Sequence, residues 1–318
     1  NVGTGTAEGG IMIDVLKKRG DGIRREHGFD LQDVAVKGTY RISSTQRITG
    51  KYAHFEEDSR FSETGLTAAE YRANPYRASG DAADLRRERF NMKRDTAQAI
   101  HEWDLNDQMK LSTQVYYSKT NRTSRRVREF EYDDDENAYE LGTERAIRPR
   151  AYEFYGIEPK LQLKHNAFGI RSEAVFGVRY HEEKIDRKKY EFEESFSEPG
   201  IGDERLKLNV KALAAYAQNT FHHGDWSVTP GVRLERISYD KALYSGDALN
   251  ELDDKLKHTK SVVLPGIGVA WNGLKSTTIF AGVHRGFAPP RPDRDVGASG
   301  LVSRSEERRV GKECRLLC

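Results

Sequence analysis

The sequence predicts an all-β chain: an antiparallel up-and-down transmembrane β-barrel, present as about 11 strands of a larger barrel and so an open curved sheet as it stands. Three observations predict it. Apolar and polar residues alternate with period two over long stretches, the mark of a strand with one apolar face. Many stretches run to about ten residues, against about five or six in ordinary soluble sheets. The gaps between them go short, long, short, long along the chain, as in a barrel with tight turns at one membrane face and large loops at the other.

The elements follow in order. The run Gly3-Thr4-Gly5-Thr6-Ala7-Glu8-Gly9 reads as a turn entering a first strand near Gly10–Lys17. Strands near 34–42 and 46–55 are joined by Ser43, Ser44 and Thr45 alone. The next connection runs from Asp58 to about Arg87. It holds a capping box, Thr67-Ala68-Ala69-Glu70, then Tyr71-Arg72-Ala73 and a terminating Pro75, which predicts a short helix. Asp104–Asp107 is short, Ser124–Arg148 long, His165–Gly169 short and Arg187–Asp203 long. His223–Asp225 is then short, Lys241–Thr259 long, and Asn272-Gly273-Leu274 short, with Asn-Gly a strong hairpin signal. The last strand ends near Phe287.

The alternation also assigns faces. Trp226, Val228, Pro230, Val232 and Leu234 share one side, against Ser227, Thr229, Gly231, Arg233 and Glu235. Ala174, Phe176, Val178 and Tyr180 likewise oppose Glu173, Val175, Gly177, Arg179 and His181. Arg and Glu on the wet face suit a water-filled lumen. Aromatics such as Tyr117, Tyr155, Tyr180, Trp226 and Trp271 gather near strand ends, where interfacial girdles sit.

Bulk composition excludes little. Charged residues make up 32% of 318, and the mean hydropathy is -0.78. A barrel remains compatible, because only alternate strand residues meet lipid and the loops are polar. The net charge of +2 names no partner, and no nucleic-acid motif stands behind the Lys and Arg residues. No catalytic constellation emerges. His181-Glu182-Glu183 has Ile185 where a second zinc ligand would stand. Asp133-Asp134-Asp135-Glu136 lacks the spacing and turn glycine of a calcium loop. The chain is read as a non-enzyme.

The chain begins at Asn1 without an initiator Met and reads as an interior piece of a longer protein. Residues 1–303 are assigned to a partial barrel. Residues 304–318 resemble the translation of a sequencing adapter and are read as non-native, which removes Cys314 and Cys318 from consideration as a disulfide or metal pair.

Leu264-Pro265-Gly266-Ile267-Gly268-Val269-Ala270-Trp271 and the run from Phe280 to Pro292 resemble the mid-barrel segment of TonB-dependent outer-membrane receptors, in the branch similar to ferric citrate and siderophore receptors. Gly65–Tyr71 with Asn74-Pro75, Tyr155-Gly156-Ile157-Glu158-Pro159, and Thr229-Pro230-Gly231-Val232-Arg233 fit the same family. The resemblance implies a barrel of about 22 strands with an N-terminal plug. It implies a Gram-negative outer-membrane location and import of a ferric siderophore or citrate-like chelate, energised by the TonB complex through a plug region this chain lacks. Outer-membrane lipid and lipopolysaccharide would surround it. No cofactor is expected, iron entering only within a bound chelate. A non-transporting surface barrel acting as an adhesin, and a soluble β-sandwich, are the competing readings. Under the receptor reading, basic groups in the lumen would meet the anionic chelate. The candidates are Arg179, Arg233 and His284, expected at comparable heights on the lumen side, with Arg148, Arg150, Arg125, Arg126 and Arg128 near the mouth.

Overall fold

The protein is represented by a computed structural model that describes residues 1–60, 66, 68–78, 87–126, 130–133, 138–141, 145–192 and 200–289. The alternating stretches become strands β1 (Val2–Gly5), β2 (Gly9–Gly20), β3 (Phe29–Arg41) and β4 (Gln46–Ser59), then helix α1 (Ala68–Ala73). Strands β5 (Arg89–Asn106), β6 (Met109–Arg126), β7 (Phe130–Asp133), β8 (Ala138–Leu141) and β9 (Arg145–Ala167) follow. The chain continues with β10 (Ile170–Phe192), β11 (Ile201–His223), β12 (Trp226–Ser245), β13 (Glu251–Leu274) and β14 (Thr277–His284). Twelve of these form one sheet in chain order, while β7 and β8 pair only with each other inside the connection from β6 to β9. Each neighbouring pair is antiparallel. Among the described residues no ladder joins β1 to β14, so the sheet is open.

Short connections occupy one end of the sheet: 6–8, 42–45, 107–108, 168–169, 224–225 and 275–276. Phe168 and Gly169 both have positive φ, 53° and 75°, as a two-residue hairpin turn matching strand twist requires. The connections at the other end span 21–28, 60–88, 127–144, 193–200 and 246–250.

The structure corrects four expectations. The main sheet holds 12 strands rather than about eleven. The extra one is Val2–Gly5, expected as a turn, which pairs with Gly10–Ile13 because glycines can sit in an edge ladder. Arg187–Asp203 and Lys241–Thr259, expected as long loops, are largely strand. Pairing of β10 with β11 runs to Glu191↔Ile201, and of β12 with β13 to Ser245↔Glu251. Strands β9, β10, β11 and β13 therefore reach 23, 23, 23 and 24 residues, against about 9–11 needed to cross a bilayer. Lastly, the final hairpin turns at Lys275-Ser276, where Ser276 has φ 61°, and not at Asn272-Gly273. Asn272 and Gly273 fall instead in a register shift of the β13–β14 ladder between Trp271 and Leu274, where a Cβ on Gly273 would lie 2.4 Å from the Trp271 ring. The helix predicted before Pro75 is present as α1; its capping Thr67 lies outside the described residues, as do residues 304–318 and Asp134–Glu136.

The register turns the face assignment into continuous rows. Trp103, Leu111, Leu161, Phe176, Ala217, Val232 and Pro265 follow one another across β5, β6 and β9–β13. Nearer the long loops, Tyr52, Ala97, Tyr117 and Tyr155 form a parallel row. Nearer the short turns, Trp226 faces Trp271 with ring centroids 6.1 Å apart. An apolar belt bounded by Trp on one side and Tyr on the other is what a barrel turns to lipid. Its residues are exposed, including Phe176, Val178, Val232, Leu234, Val263 and Ile267. On the opposite face Leu206, Leu208, Ala214, Ile237, Tyr239 and Val262 are buried together across β11–β13.

A basic mouth on the inner face

Above the Tyr row, toward the long connections, inward-facing register rows carry clustered positive charge. Arg122 on β6 faces Arg150 on β9, which faces Arg187 on β10. Side chains directly opposite in antiparallel strands have Cβ atoms about 4.5–5.5 Å apart, where like charges repel. The Arg122 guanidinium lies 5.6 Å from the Tyr152 ring centroid and donates to the Tyr152 hydroxyl at 3.3 Å. Arg150 is pushed below the ordinary guanidinium range, first by burial and then by the charge of Arg122, with Arg187 acting the same way. The row thus sets three guanidinium groups side by side on the inner face, with Arg150 partly desolvated between the other two.

The predicted residues distribute unevenly around it. Arg148 and Arg150 sit on inward positions of β9, and Arg126 shares their face, opposite Ala146. Arg125 does not: it pairs with Ile147 and Arg89 and stands on the outward face, because one step along a strand reverses side-chain direction. Arg128 lies outside the described residues. Arg179, Arg233 and His284 are inward, on β10, β12 and β14. Arg179 is opposite Ala214, Arg233 opposite Leu264 and His284 opposite Gly266.

Arg179 and Arg233 have structural partners. Arg179 donates to the Tyr116 hydroxyl at 3.2 Å and lies over its ring at 5.9 Å. Arg233 pairs with Glu235 and lies over the Tyr216 ring at 5.3 Å. Each tyrosine leans across a glycine of the neighbouring strand. A Cβ on Gly156 would come within 2.3 Å of the Tyr116 hydroxyl, and one on Gly177 within 2.2 Å of the Tyr216 ring. Tyr216 then donates to Glu158 at 3.0 Å, and Tyr116 shares a 2.8 Å hydrogen bond with His181. These Gly–Tyr–Arg stacks brace the inner wall at membrane depth.

Sequence reasoning missed Arg122 and Arg187. Arg187 fell in a segment read as loop, although the parity of Arg179 continued to position 187 would have placed it on the inner face. Among the described residues no group of His, Cys, Asp and Glu could hold a metal ion, and no helix is long and apolar enough to cross a membrane.

The sequence model of a family described as "TonB dependent receptor-like, beta-barrel" matches residues 34–305. Among solved structures, the chain is similar to the ferric citrate transporter FecA in its unliganded form, with TM-score 0.76 and 20% identity, covering 90% of this chain and 40% of that one. It is similar to the ferric-catecholate import receptor Fiu from E. coli K12, open form, with TM-score 0.73 and 11% identity, covering 90% and 51%. The siderophore receptor PiuA from Acinetobacter baumannii gives TM-score 0.72 and 12% identity, covering 91% and 47%. The chain therefore spans about half or less of the length of these structures.

Proposed function

Because the chain belongs to the TonB-dependent receptor β-barrel family, a family of outer-membrane proteins and not of enzymes, we propose that the complete protein imports a ferric chelate, citrate-like or another siderophore, by TonB-coupled active transport. The observation that carries the substrate class is the inward row Arg122–Arg150–Arg187, with Arg126 and Arg148 beside it. Guanidinium groups bind carboxylates bidentately and keep their charge when partly desolvated. Clustered positive charge also raises the local concentration of an anionic ligand. The braced Arg179 and Arg233 would shape the wall below, and His284 would add a donor near the last strand.

The test is binding of radiolabelled ferric citrate, and of a neutral ferric chelate, to whole cells carrying the complete receptor. The combined Arg122→Gln, Arg150→Gln, Arg187→Gln variant should lose at least about tenfold in affinity for the anionic chelate, since each charge-assisted hydrogen bond contributes about 1.5–3 kcal/mol. The neutral chelate should be little affected. Unchanged affinity at normal surface expression would remove the carboxylate clamp from this part of the barrel.

A further inference from the structure

On the inner face, at the height of the basic row, the wall turns apolar toward β3. The row that holds Arg122 continues as Met92 on β5, Glu57 on β4 and Leu31 on β3. The next inward row toward the long connections runs Ser124, Phe90, Ser59 and Phe29. Phe90 is therefore the diagonal neighbour of Arg122, a spacing of about 7–8 Å. Leu31 stands three strands from Arg122, about 14 Å at the usual strand separation.

A cavity of about 1240 Å³ opens here, walled by Phe29, Leu31 and Phe90 from the strands and by Ile23, Leu66 and Tyr71 from the connections 21–28 and 60–88. Hydrogen bonds fasten these walls to one another. The Arg60 amide donates to the Gly28 carbonyl at 2.8 Å, and the Arg25 amide to the Tyr76 carbonyl at 3.0 Å. The Phe29 ring lies across Gly20, where an added Cβ would come within 2.9 Å of it. Arg24, His27, Glu57, Ser59 and Arg60 also line the cavity. Arg60 pairs with Glu26 at 3.0 Å, and Glu57 accepts from the Ser59 hydroxyl at 2.5 Å. Burial, and then the charge of Arg24, push His27 below its usual range, so its ring is mainly neutral at neutral pH. The apolar surface is elongated: Leu31 to Phe29 is about 7 Å along the strand, and Ile23 lies beyond, in the connection.

We propose that the chelate this barrel takes is amphiphilic, with its carboxylate head at Arg122, Arg150 and Arg187 and a linear acyl tail along Leu31, Phe90, Phe29, Tyr71 and Ile23. Charge complementarity fixes the head, and the register fixes the tail beside it. A wholly hydrophilic chelate would leave the apolar wall wet next to the bound head, whereas a tail removes that wall from water. The lengthwise run from Leu31 to Ile23 suits a chain rather than a single compact ring. The inference rests on the reading of the protein as an importer of anionic ferric chelates and narrows the substrate within it.

The complete receptor in lipid nanodiscs is titrated with three ferric chelates that share one hydroxycarboxylate head. One is the bare head, one carries a linear acyl tail of about ten carbons, and one carries a phenyl arm; empty nanodiscs give the partitioning to subtract. Each buried methylene strengthens binding about fourfold, so the acyl chelate should bind at least about tenfold more tightly than the bare head, and more tightly than the phenyl chelate. The Ile23→Asn, Tyr71→Asn variant changes two exposed side chains outside the strands, and should cut that advantage to about threefold or less. Heat-modifiable gel migration reports whether the variant is folded, and Tyr71→Asn alone carries the comparison if it is not. An acyl chelate no tighter than the bare head overturns the inference in the wild type alone, while leaving the importer reading standing. An advantage undiminished in the folded variant overturns the site, and a phenyl arm as effective as the chain overturns the tail's identity. A wild-type receptor that binds none of the three removes the importer reading and this inference with it.

Discussion

Replacing Val232 by Arg should destabilise the complete barrel in lipid by about 2–4 kcal/mol, among the largest effects expected of any single change. Val232 lies on β12 between Trp226, six residues away at one interface, and the polar rows beginning near Arg236, four residues away at the other. Its cross-strand neighbours are Ala217 and Pro265, both apolar and too small to shelter a charge. A guanidinium there can reach water only by bending along about half the membrane thickness. Urea titration of the receptor folded into vesicles measures the loss, with Val232→Ala as a mild control. Unchanged stability for the Arg variant would mean that the two faces of β12 have been exchanged.

The second large effect is expected at Gly177. Its missing side chain is the space occupied by the Tyr216 ring, since an added Cβ would lie 2.2 Å from Tyr216. Gly177→Val must push the ring away, break its 3.0 Å hydrogen bond to Glu158 and remove the surface on which Arg233 rests. Overpacking of this kind costs about 1–3 kcal/mol. The double variant Gly177→Val, Tyr216→Ala should be less destabilised than the sum of its parts, because the clash disappears with the ring. The same urea titration decides. Strict additivity would show that the two positions do not share the space.

These effects show which links were legible in the sequence. Membrane depth was readable, because there one face must be apolar and period two survives in Trp226–Leu234 and Ala174–Tyr180. The short ends were readable too, apart from the first hairpin, whose strand Val2–Gly5 reads as a turn, and the last, where Asn272-Gly273 carried the composition of a turn while Gly273 accommodates the Trp271 ring. Legibility fails above the belt. Beyond Tyr180 both faces of β10 are polar, as in Lys184, Asp186, Arg187, Lys188 and Lys189, so alternation vanishes while backbone pairing continues. The Arg122–Arg150–Arg187 row depends on that pairing: cross-strand register brings together residues from three strands, and no local pattern encodes it. The Tyr116–Gly156 and Tyr216–Gly177 stacks are invisible for the same reason, although a glycine inside a strand signals a close approach.

Transport itself is tested most directly by iron uptake. A strain lacking its own ferric citrate receptor, and carrying the complete gene for this protein, is supplied with radiolabelled ferric citrate and then with a panel of anionic siderophores under iron limitation. Intracellular iron should accumulate with at least one anionic chelate, and the accumulation should fall to background when TonB is deleted while surface binding persists. Surface expression without accumulation of any chelate, or accumulation indifferent to TonB, would contradict the account.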